Sequence, residues 1–274
     1  LGLSNEDLNA ISSATLHIGS SGNSAGLTAS QTIDLPVVGG TAGVKNLELE
    51  TAGPLNIDAG VTVHQGGGSV LATMAGSGSL SIGGAGGLHA DTVQLTADHM
   101  SLAGAAGSLS GNAVLLGKYT QSGTIDIGGN AADTLTALGL SEAELKTISA
   151  ANINIGSTAF MGTLRVTGAL NLSNLPTEGT LQLRSGADMR IGAALTLPGN
   201  LRVGAASGIA GFGEIAFDIA LFAATLRDDL AAFEEQVADP DGFVEQPAGV
   251  RAEVEDPAAR LLAQRLFDRQ HRGL

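Results

Sequence analysis

From residue 14 to about residue 220, apolar and polar positions alternate in short bursts. Leu47-Glu48-Leu49-Glu50, Leu55-Asn56-Ile57-Asp58, Val61-Thr62-Val63-His64 and Thr124-Ile125-Asp126-Ile127 are early examples. Leu164-Arg165-Val166, Leu181-Gln182-Leu183, Leu195-Thr196-Leu197 and Leu201-Arg202-Val203 continue the pattern. A period of two places alternate side chains on one buried face, the mark of a β-strand. The bursts predict strands of about three to five residues. Gly-Gly, Ser-Gly and Gly-Asn turns between them permit positive φ. Short strands, dense glycine and no intervening helices predict an all-β fold. The architecture expected is a parallel β-solenoid, in which each coil hydrogen-bonds to the next and inward aliphatics stack. With about 20 residues per coil, residues 1–220 make on the order of ten coils, a stack of roughly 50 Å at about 4.8 Å per coil. An antiparallel sandwich or barrel is the competing architecture.

One phrase occurs twice: Leu1 to Ser12 reads LGLSNEDLNAIS and Leu138 to Ser149 reads LGLSEAELKTIS. Each copy is followed by an alternating run that ends in Ile-Gly-Ser, at Ile18-Gly19-Ser20 and Ile155-Gly156-Ser157. The phrase predicts one or two helical turns feeding a strand. Ser4 and Ser141 are the N-caps, with Asp7 and Glu144 reaching back to the cap amide as a capping box. Leu3 with Leu8, and Leu140 with Leu145, hold the staple positions. The shorter Asp7 predicts a weaker box in the first copy. The first copy is expected to cover one end of the stack. The second is expected to lie across its side or to mark a seam. The resulting division is a β-solenoid module at 1–137, a second at 138–220 and a C-terminal segment at 221–274.

At about residue 214 the texture changes. Ile215, Ile219, Phe222, Leu226, Leu230, Phe233 and Val237 recur at steps of three or four, an apolar helical stripe. Asp256-Pro257 reads as N-cap and first turn of a second helix. The segment is expected to be a short helical cap or an interaction tail.

Composition narrows the function. The formal net charge is −14, and no basic stripe is present to hold a polyanion, so nucleic acid is not an expected partner. Aromatics are 3% of the chain, with no Trp and a single Tyr, so the core must be aliphatic and sugar-stacking platforms are scarce. There is no Cys, so disulfides play no part. No run is long and apolar enough for a membrane-spanning helix. The chain begins on Leu at the first residue of a repeat, and is read as part of a longer polypeptide.

No catalytic, cofactor-binding or metal-binding residue emerges, and no cofactor is implied. His17, His64, His89, His99 and His271 lack metal-ligand spacing. Gly128 to Leu135 is one degenerate copy of a calcium nonapeptide, without the tandem copy that completes an ion site. Candidate acids in the strand-rich region include Asp34, Asp58, Asp91, Asp98, Asp126, Asp133 and Asp188. Glycosidase chemistry needs two carboxylates brought together, and no two of these are adjacent in sequence. Asp188, between Arg184 and Arg190, is expected to form a surface ion pair. An enzyme is not expected. A carbohydrate-binding or polysaccharide-degrading β-helix protein is the alternative function.

The twice-used phrase, with Leu16, Ile18 and Gly19 after the first copy and Ile153, Ile155 and Gly156 after the second, resembles the internal repeats of filamentous-haemagglutinin-like exoproteins. Gram-negative bacteria secrete these by the two-partner pathway. The resemblance implies a right-handed parallel β-helix, secreted or held at the cell surface, with a role in adhesion, aggregation or biofilm. It also implies an outer-membrane transporter as partner during export, and a host-surface or glycan receptor. Both chain ends differ from the strands between them, so end-to-end self-association is expected, with residues 1–12 of one copy meeting residues 214–274 of the next.

Overall fold

The computed structural model describes residues 2–35, 44–65, 70–128, 133–134, 136–212 and 215–217. All of them belong to the first of the two units into which the chain divides, 1–223. The described residues form an all-β structure with two short helices. Every strand-to-strand ladder among them is parallel. One isolated antiparallel bridge, Thr134 to Ala137, lies outside the ladders.

The strands add to one another in sequence order. A first rank runs Ser13–Ser20, Val44–Thr51, Val70–Ile82, Thr92–Leu102, Leu109–Gly117, Ile148–Ser157, Thr180–Ser185 and Asn200–Ala205. Register-matched residues are separated by 20 positions (Leu181 to Leu201) up to 39 (Val114 to Ile153). Among the described residues this rank holds eight strands, against the order of ten coils expected from a period of about 20 residues. The insertion carrying the second phrase lengthens one step, and other loops lengthen more. A second rank begins with Leu27–Ala29 and Leu55–Ile57. Ala137–Leu140, Thr124–Ile127, Thr163–Val166, Asp188–Ile191 and Gly208–Phe212, in that order, form a five-stranded sheet. A third begins with Ile33–Leu35, Thr62–Gln65 and Gly87–His89, and Leu170–Asn171, Leu195–Leu197 and Ile215–Phe217 form a separate three-stranded sheet.

Alternation in the sequence becomes alternation of burial. Thr92–Leu102 reads intermediate, buried, exposed, buried from its first residue. Val93, Val114, Ile153 and Leu181 are matched across successive ladders, and each is fully buried. Stacking like on like builds an aliphatic core without aromatic bulk; Phe160 is the one aromatic among the largest fully buried side chains.

Several strands are longer than the expected three to five residues; Val70–Ile82 spans 13. Such strands cross from one rank to the next without leaving the ladder, as Leu109–Gly117 pairs with both Gly87–His89 and Thr92–Leu102. The helical stripe expected from Ile215 does not begin there. Ile215–Phe217 is a strand, laddered to Leu195–Leu197, because Ile215-Ala216-Phe217 satisfies a period of two as well as the start of a helical one. The remainder of that stripe, the second C-terminal helix and His271 lie outside the described residues.

Both phrases fold as expected at their starts. The helices are Asn5–Asn9 and Glu142–Leu145, each with a complete capping box. Asp7 closes its box as fully as Glu144 does. Ladders continue across the 137/138 position, where Ala137–Leu140 pairs with Thr124–Ile127.

Candidate functional site

Three features carry polar groups or open backbone: an outer row of histidines, a pair of half-enclosed carboxylates, and the unpaired edge at the N-terminal end.

The outer row follows from parallel register, which puts Asp34 beside His64 and His64 beside His89, with Ser110 next. His64 Nδ1 lies 2.8 Å from Asp34 Oδ1, and His89 Nδ1 lies 2.5 Å from Ser110 Oγ. The row is thus two pairs and not a relay, since the Asp34 carboxylate serves His64, one strand short of His89. Burial, and then the neighbouring His64, push the His89 pKa below its ordinary value. His17 forms a further pair, 2.8 Å from Glu50 and 3.7 Å from Glu48. Among the described residues, no group of three or more His, Cys, Asp or Glu is placed to hold a metal ion.

The carboxylates are Asp133 and Glu144, brought together although far from obvious partners in sequence. Asp133 Oδ2 accepts from Met100 N–H at 2.9 Å and Oδ1 from Gly139 N–H at 2.7 Å. Glu144 Oε1 accepts from Leu102 N–H at 3.2 Å, while Oε2 takes the Ser141 N–H and hydroxyl. Burial raises the Asp133 pKa, and the nearby Glu144 charge adds to the rise against the two backbone N–H groups and His99. All four oxygens face backbone donors or the helix cap. These carboxylates bracket the edge of Thr92–Leu102 where the inserted strand Ala137–Leu140 interrupts the ladder, a structural task. Asp133 is thereby engaged away from the calcium-like pattern; residues 129–132 and 135 of that pattern lie outside the described residues.

Of the other acids, Asp98 is buried with Lys118, whose Nζ is 2.6 Å away, and it also accepts from the Thr120 N–H and hydroxyl. Asp126 takes Arg165 Nη2 at 3.0 Å and the Thr167 hydroxyl. The ion pair expected at Asp188 does not form among the described residues. Arg184 instead donates to the Gln182 carbonyl oxygen, when the Gln182 amide is oriented to donate to Asn154. The Asp98–Lys118 pair was legible in principle: 20 residues is the shortest step between matched strands of the first rank, and applying that step to charges finds it.

At the N-terminal end the first helix closes only part of the edge. Asn5 Oδ1 accepts from Asp34 N–H at 2.8 Å, and Asn9 Nδ2 donates to Asp34 C=O at 3.1 Å. Two amides at i and i+4 on one helix face thus replace a missing strand beside Ile33–Leu35. Among the described residues no such cover serves the other two ranks: Ser13–Ser20 ladders there only with Val44–Thr51, and Leu27–Ala29 only with Leu55–Ile57. A groove of about 400 Å³ opens there, lined by Leu3, Leu8, Ile18, Leu27, Ile33 and Leu49. Leu3 is 43% exposed, whereas Leu140, at the same place in the second phrase, is fully buried.

No family of known proteins, no curated protein and no solved structure matches the chain.

Proposed function

We propose that the chain is an extracellular structural or adhesive protein of a Gram-negative bacterium, secreted or held at the cell surface. In this reading it is a right-handed parallel β-helix rod that joins end to end into a filament for adhesion or biofilm matrix. The observation that carries the reading is the sequence-ordered parallel ladder from Ser13–Ser20 to Asn200–Ala205, whose first strand keeps one unpaired edge among the described residues. A ladder that grows by repetition and ends on an open edge can continue in a neighbouring molecule. The task is mechanical: stacked coils hold their outer side chains at fixed spacing. A host-surface or glycan receptor would meet those side chains, and an outer-membrane transporter would serve export. The resemblance of the repeated phrase to filamentous-haemagglutinin-like exoproteins supplies the extracellular setting.

Negative-stain electron microscopy of the full chain over a concentration series tests the reading. Fibres of constant width that lengthen with concentration are expected. Isolated short particles at every concentration would contradict end-to-end assembly.

A further inference from the structure

The second phrase is an internal control for the open end. Leu16, Ile18, Leu27 and Ile33 stand at the repeat positions of Ile153, Ile155, Leu164 and Leu170. The later four are buried, with 0–1% exposure. Leu109–Gly117 covers Ile148–Ser157, and Thr124–Ile127 covers Thr163–Val166. The first four are only partly buried. Among the described residues, what the N-terminal end lacks is therefore one parallel strand against Ser13–Ser20 and another against Leu27–Ala29.

The last described strands have matching form. Asn200–Ala205 and Gly208–Phe212 end their ranks in the same order. Leu201 and Ile209 are partly buried, and Val203 is 37% exposed. Charge is also complementary. Residues 1–60 hold six carboxylates and one lysine, whereas residues 161–212 hold four arginines and two carboxylates. On the outer face of the first rank, Glu48 and Glu50 flank His17 near one end, and Arg184 and Arg202 occupy the other.

We propose that a second copy of this chain docks its Asn200–Ala205 edge on Ser13–Ser20, continuing the ladder in the register of the preceding strands. Leu201 then lies beside Leu16, Arg202 beside His17 and Val203 beside Ile18, while Gly208–Phe212 enters the groove at Leu27. Leu3 joins no ladder and borders that groove. The proposal rests on the end-to-end reading and specifies its contact: strand edges make the junction, and the 1–12 helix closes the third rank.

The backbone indicates the test. Leu27 N–H donates to Pro54 and Asp58 N–H to Ala29, so the Thr28 N–H and C=O point to the open side. Ser13 Oγ bonds both Thr15 N–H and C=O, which puts His17, two residues on, with its backbone on the same open side. His17→Pro and Thr28→Pro each block the edge without removing an internal ladder bond. Sedimentation velocity of the full chain should show large assemblies for the parent and at least a tenfold loss of them in either variant, with melting temperatures unchanged in at least one. Arg202→Glu should weaken assembly too, and an equal mixture of His17→Pro and Arg202→Glu chains should stop at dimers. Unimpaired assembly of a folded edge variant would overturn the strand junction while leaving end-to-end assembly standing. The same holds if assembly is lost only on removing residues 218–274. A parent chain that stays monomeric throughout would overturn both.

Discussion

Gly19 and Gly156 explain the Ile-Gly-Ser that closes each repeated run. Both have φ in the left-handed region, +96° and +75°. A Cβ on either would sit 2.0 or 2.2 Å from a backbone oxygen of the next strand, at Glu50 or Arg184. Only glycine permits that approach. Buried charge is the other decisive matter at this scale. Burial alone would raise the Asp98 pKa, but the Lys118 ammonium and the Thr120 hydroxyl and N–H hold it below 3.8. Lys118→Met leaves Asp98 buried without its cation, and should cost about 3–5 kcal/mol in denaturant unfolding. Replacing both residues with apolar ones of similar size should recover much of that loss. The sign of the pH dependence follows: a carboxylate depressed in the folded state stabilises above its unfolded value and loses that contribution as pH falls through its folded value. The parent chain should therefore lose stability below about pH 4, and a chain with Asp98→Asn should lose less over the same interval.

At the scale of elements, the two phrases show how one sequence frame serves two places. In both, serine and acid close a capping box. In the second copy, the longer Glu144 side chain also reaches the Leu102 N–H, and Asn174 Nδ2 donates to the Leu145 and Ile148 carbonyls. Glu144→Ala removes the cap and strands a partly buried N–H, so its cost should be about 2–3 kcal/mol. Asp7→Ala loses only an exposed cap, so its cost should be the smaller of the two. Equal losses in thermal unfolding would contradict the bracket assigned to Glu144. Helix starts, caps and most strands were legible because each depends on neighbours a few residues apart. The Asp133–Glu144 bracket was not legible, since it depends on which strand edge the insertion interrupts. Ile215–Phe217 was misread because a three-residue apolar run fits either period, and only the Leu195–Leu197 partner decides it.

For the molecule as a whole, the alternating pattern announced strands and the scarcity of aromatics announced a thin aliphatic core. Long-range pairing was less accessible, because steps of 20 to 39 residues obscure a common period. Charge, read by region, distinguishes an acidic beginning from an arginine-bearing end of the described strands, an asymmetry that would give the proposed assembly a direction. The absence of cysteine permits a direct test of the proposed junction. Chains carrying His17→Cys are mixed with chains carrying Arg202→Cys and oxidised gently. Matched residues on adjacent strands lie about 4.8 Å apart, within disulfide reach. A rapid crosslink between the two different chains, far exceeding that within either chain alone, is the result expected for a continued parallel ladder. No crosslink between them in samples that do form fibres would contradict it.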